Sequence, residues 1–122
     1  MPESRRRQTA VPHADLVRLF ALFNAGRHAE MEAAAADLAS RYPVDGQGWK
    51  AWGIALLSQR KDALAVLRRA ATLLPADADV LGSLGGVLVA RGELDEAVDC
   101  YRRALRVQPG SAAAHSLSLI HI

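Results

Sequence analysis

The feature that most narrows the fold is a self-similarity at a spacing of 34 residues. Ala63, Leu67, Ala70 and Pro75 return as Ala97, Tyr101, Ala104 and Pro109, so that ALAVLRRAATLLP and AVDCYRRALRVQP share chemistry as well as spacing. A repeat of this length is one supersecondary unit that buries its apolar face only by stacking on a neighbour. Within each copy the two alanines lie seven residues apart, which keeps them on one face of a helix. Pro75 and Pro109 end those helices, because the residue before a proline is pushed out of the α region. Glycine costs about 1 kcal/mol inside a helix, so Gly53 and Gly85 need a reason to sit there. The expected reason is close approach of two helices, with Trp49, Trp52, Leu67 and Tyr101 supplying volume opposite. Asp45, Asp77 and Asp79 stand where the following helices start and suit N-terminal capping.

In order and register, Leu81, Leu84, Gly85, Leu88, Gly92, Ala97, Tyr101, Ala104 and Pro109 match the tetratricopeptide signature, and the chain resembles that family. The unit before it offers Trp49, Trp52, Gly53, Leu56, Ala63, Leu67, Ala70 and Pro75, with two residues lost at its inner turn, where SQRKD replaces VARGELD. Further back, Gly26 to Pro43 spans the same 17 residues as Gly92 to Pro109. The first helix, roughly His13 to Asn24, is the weakest match and carries Leu19 in place of the glycine. The resemblance implies an all-α solenoid of about three helix-turn-helix repeats. Its parts are a disordered basic tail over 1–11, a divergent repeat over 12–45, a shortened repeat over 46–77, a full repeat over 78–111 and the start of another over 112–122.

That last unit opens with Ala112 and His115 and then departs from the pattern at Ser118 and Leu119. The final residues LSLIHI, Leu117 to Ile122, are similar to the translation of a transposase-type sequencing adapter. The expectation is a reading frame cut from a longer protein. The hairpin from Asp77 to Gln108 would then expose an apolar face and favour self-association.

Charge and reactive side chains point away from several functions. Of 15 basic and 13 acidic residues, 12 of each remain once Arg5, Arg6, Arg7 and Glu3 are set aside. The folded part is neutral by count, whereas nucleic-acid binding draws its affinity from a basic face, so no nucleic-acid partner is expected. Arg68, Arg69, Arg102, Arg103 and Arg106 recur on an outer surface. Cys100 has no second cysteine and no histidine at metal-ligand spacing, and His13, His28, His115 and His121 are scattered. GSLGG over 82–86 lacks the lysine and hydroxyl of a phosphate loop. Glu93, Asp95, Glu96 and Asp99 gather at a helix start, where negative charge is favoured. No catalytic, cofactor-binding or metal residue is assigned, no cofactor is expected, and the chain reads as a cytoplasmic non-enzyme. Asp15 and Arg18 interrupt any leader-like apolar run, and no membrane span is expected.

The resemblance further implies that the first helix of each pair lines a concave groove holding a peptide or a partner helix. Carried over, the groove positions are Gln47, Lys50, Ile54 and Leu57 from one unit, Asp79, Gly82, Gly86 and Val89 from the next, and Leu16, Phe20 and Phe23 from the first. The basic clamp by which some members hold a C-terminal carboxylate has a counterpart only in Lys50, with Ile54 and Ser83 at expected asparagine positions. A protein-interaction scaffold is the implied function. As the alternative, the run from Leu22 to Leu57 resembles the opening of bacterial SPINDLY or O-GlcNAc-transferase-like glycosyltransferases, although Ala51 and Ser83 replace the family's asparagine ladder.

Overall fold

The computed structural model describes residues 9–108. Expectations placed on the basic tail before residue 9, on Pro109 and on the segment 112–122 with its adapter-like end lie outside the described residues. Within them six helices follow one another: α1 (His13–Asn24), α2 (His28–Arg41), α3 (Gly46–Ser58), α4 (Leu64–Leu73), α5 (Ala78–Ala90) and α6 (Leu94–Val107). No strand occurs among the described residues, and no helix there is long and apolar enough to cross a membrane. The fold is all-α. The chain divides into two compact units, one ending at Leu73 and the other beginning at Leu74.

In the first unit α1 pairs with α2 and α3 with α4, while α2 also packs on α3 and α1 reaches α3. Its core gathers Leu19, Leu22, Met31, Ala35, Leu38, Ala51 and Ala55. Val11 belongs to the same core at 6% exposure, and its N–H donates to Asp45 Oδ2 at 2.8 Å. The sequence alone places Val11 in the disordered tail over 1–11; an apolar side chain with a fixed hydrogen bond is instead the start of the folded region. Asp45 acts twice, since its Oδ1 accepts from Gln47 N–H at 2.9 Å and caps α3. Gly53 allows the expected approach of α3 to α4. A Cβ there would meet Leu67 Cδ2 at 2.6 Å. Gly48 is a second contact point, where a Cβ would lie 3.1 Å from the backbone nitrogen of Ala39 in α2.

The second unit is the hairpin α5/α6. Here Gly85 faces Tyr101, whose ring atoms Cε2 and Cζ would lie 2.9 Å from an added Cβ. Asp77 caps α5, its Oδ1 accepting from Val80 N–H at 3.0 Å. Asp79 lies inside the first turn of α5 and not at its cap. Val89, Leu94 and Val107 are the large apolar side chains that this unit leaves exposed among the described residues.

All three inner turns close the same way. At Gly26, Arg60 and Gly92 the backbone is left-handed, with φ of 73°, 59° and 79°. The next N–H donates five residues back in each case: Arg27 to Leu22 O, Lys61 to Leu56 O and Glu93 to Leu88 O, all at 2.9 Å. The shortening expected at SQRKD therefore leaves the turn itself intact. It falls on the next helix. Ala97 sits inside α6, whereas its repeat counterpart Ala63 precedes α4, which starts at Leu64 with its N–H on Asp62 Oδ1. Accordingly α4 has 10 residues against 14 in α2 and α6.

Candidate functional site

Two helical stripes in the first unit face a common cavity of about 340 Å³. From α1 come Leu16, Leu19, Phe20 and Phe23, and from α3 come Gln47, Lys50, Ala51 and Ile54. Both sets follow the i, i+3, i+4, i+7 spacing that puts side chains on one helix face. Met31 of α2 completes the lining. Leu19 and Met31 are almost fully buried, at 3% and 4% exposure, while Phe20 and Phe23 stand out at 66% and 40%. Phe23 is steadied by a tilted ring contact with His28, the centroids 5.7 Å apart.

The cavity wall is apolar except for the Gln47 amide and the Lys50 ammonium. Such a surface removes apolar groups from water at about 25 cal/mol per Å² and leaves two polar groups to set orientation. Among the described residues no group of three or more His, Cys, Asp or Glu side chains is placed to hold a metal ion.

Six of the residues assigned to the groove from sequence meet here: Leu16, Phe20, Phe23, Gln47, Lys50 and Ile54. Leu57 lies half-buried further along α3 and does not line the cavity. Asp79 and Val89, both exposed, lie on α5 in the second unit, as do buried Gly82 and exposed Gly86. Leu19, Met31 and Ala51 join the lining without having been assigned to it from sequence. The usable signal is Leu19, which stands at the repeat position of Gly53: a leucine cannot permit the approach that a glycine does, and space remains beside it.

Several other side chains make ordinary structural contacts. Arg69 lies over the Trp49 ring at 5.9 Å, and Trp49 Nε1–H donates to Pro43 O at 3.1 Å. Cys100 is buried. Gln59 Nε2–H donates to Glu32 Oε1 at 2.8 Å and to Ala55 O at 3.0 Å, and Lys61 Nζ reaches the same Glu32 oxygen at 2.8 Å. The hydrogen bond from Lys61, then that from Gln59, holds the Glu32 carboxyl below its ordinary value. Burial, with Cys100 beside it, pushes the Tyr101 phenol up.

No curated protein matches this chain. Among solved structures, the first TPR of Spaghetti (RPAP3) bound to the HSP90 peptide SRMEEVD is similar in fold, with a TM-score of 0.75 at 19% identity over 87% of this chain and 89% of that one. The family model described as Tetratricopeptide repeat matches residues 57–118. That match spans just over half of the chain and includes the whole α5/α6 hairpin with its Gly85–Tyr101 contact, and this protein belongs to the tetratricopeptide repeat family.

Proposed function

We propose that this protein is a protein-interaction module that holds a peptide or partner helix in the cavity between α1 and α3. The observation that carries the reading is the cavity itself: about 340 Å³, lined by two helical stripes, with Phe20 two-thirds exposed beside it. An exposed phenylalanine next to a preformed apolar cleft suits an anchor for another chain's side chains. The structural neighbour, a TPR bound to a peptide, supports the same use of the fold. A transferase joined to these repeats has support only in the likeness of the run from Leu22 to Leu57. The nucleotide sequence of the gene would decide that question by showing whether it encodes a sugar-nucleotide-binding region as well.

The test is selection from a random peptide library on the full chain, repeated on Phe20→Asp and Ile54→Asp. Phe20 is exposed enough for its substitution to leave the fold intact, which circular dichroism checks. Sequences enriched on the natural chain should be lost on both variants. Equal enrichment on the folded Phe20→Asp and Ile54→Asp proteins would place binding elsewhere and end the proposal.

A further inference from the structure

Resting on that reading of the cavity, we infer that its ligand is an internal amphipathic segment of another protein, with a bulky apolar side chain and a carboxylate side chain on the same face. The floor asks for the apolar group: Leu19, Met31 and Ala51 are buried and offer no hydrogen bond from their side chains. The wall asks for the charge. Among the described residues Lys50 is the one ionisable side chain lining the cavity, and it stands on the α3 stripe one turn from Ile54 and beside Gln47. An anionic group carried next to the apolar anchor meets a cation and an amide there, while a cationic one meets a like charge. Lys50 already takes part in an interaction within the chain, so the ligand's carboxylate joins or replaces it, and the preference is correspondingly modest.

The segment is internal because of donor number. A chain terminus brings an α-carboxylate that needs several donors once desolvated. One ammonium and one amide line this cavity, enough for a single, partly hydrated side-chain carboxylate. The facing i, i+3, i+4, i+7 stripes of α1 and α3 suit a helix laid between them, with successive turns presenting the anchor and the acid.

Acetylated, amidated helical peptides carrying two leucines one turn apart provide the probe, in versions with Glu, Gln or Lys on the following turn, plus the Glu version with a free C-terminal carboxylate. Amide chemical-shift titration of the full chain reads both affinity and site. The Glu peptide should shift Phe20, Lys50 and Ile54 and bind roughly threefold to fivefold more tightly than the Gln peptide, the size expected of a partly solvated ion pair. The Lys peptide should be weakest. Lys50→Gln should erase the Glu over Gln preference while leucine-dependent binding persists, and Lys50→Glu should reverse the order of Glu and Lys. If all capped peptides bind the cavity equally, the charge assignment falls and the groove reading stands. If only the free carboxylate peptide binds, the internal-segment assignment falls. If no peptide shifts α1 or α3, the groove reading itself falls.

Discussion

In the hairpin α3/α4 a glycine, Gly53, meets a leucine, Leu67; in the hairpin α5/α6 a glycine, Gly85, meets a tyrosine, Tyr101. The two pairs occupy matching places in the repeat. Both glycines are buried, and both opposing side chains fill the space that a Cβ would take. What differs is how each hairpin reaches that packing. The α5/α6 hairpin has a glycine at its left-handed turn and a full first turn in α6, with an aromatic ring as its wedge. The α3/α4 hairpin has Arg60 in the left-handed conformation, a shortened α4 and a smaller wedge. The helix contact is therefore the physical requirement that the two hairpins share, and turn residue, helix start and wedge size adjust around it.

The largest test removes the wedges. Tyr101→Ala should cost about 3–5 kcal/mol and Leu67→Ala about 2–5 kcal/mol, since both delete buried volume from a contact that closely spaced helices cannot fill by collapse. Urea unfolding followed by circular dichroism measures both. A loss under about 1 kcal/mol at either site would show that the pair is not what holds its hairpin. Next come the glycines. Gly53→Ala and Gly85→Ala should each lose about 1–3 kcal/mol through overpacking, because the atoms met belong to a buried leucine and a rigid ring. Gly86→Ala, one residue on and exposed, meets only the Tyr101 hydroxyl at 3.6 Å and should gain about 1 kcal/mol from helix propensity. Opposite signs at neighbouring glycines would separate the packing cost at Gly85 from the helix propensity gained at Gly86. Like signs would show that the Tyr101 contact does not set the cost at Gly85.

The repeat makes these contacts legible, because Leu67 and Tyr101 match at 34 residues and Gly53 and Gly85, 32 apart, match once the two residues lost at the inner turn are counted. Inside a helix, where glycine is costly, a small residue matched to a large one marks a place where two helices come close. The cavity is harder to see. Leu19, Met31 and Ala51 look like core residues in sequence, and whether a leucine faces a partner helix or an opening depends on how far α1 is held from α3. Asp45 is readable as a cap, but its second oxygen binds Val11 34 residues earlier, and no local pattern announces that bond. Arg60 is the hardest: SQRKD contains no glycine to mark a left-handed residue, so the loss of two residues looks like a change of turn. The unchanged hydrogen bonds show that it is a change of helix start.

Arg60 gives the next smaller effect. A non-glycine residue in the left-handed region costs roughly 1–2 kcal/mol, part of which glycine returns through its greater freedom in the unfolded chain. Arg60→Gly should therefore stabilise by about 0.5–1 kcal/mol, and Gly92→Arg should lose a similar amount. Both are read from the urea midpoint. No gain at Arg60 would mean that its neighbours already offset the strain.

Those neighbours are Gln59 and Lys61, which both reach Glu32 on α2 and so fasten the glycine-free turn to the preceding hairpin. Because the folded Glu32 carboxyl is held below its ordinary value, its contribution is fully present above the unfolded value of about 4.3 and is lost as pH falls through the folded value. Glu32→Gln removes the charge that pairs with Lys61 and leaves one amide oxygen as acceptor. The variant should be slightly less stable at neutral pH, the smallest effect of the series, with the difference in urea midpoint shrinking as pH falls from about 5 to about 3. Added salt should shrink it as well, since the Lys61 side chain is half exposed. The two tryptophans, both on α3, report this unfolding by fluorescence. A difference that stays constant across that pH range would mean that the Glu32 charge contributes nothing, and that Arg60 is tolerated without help from the ion pair beside it.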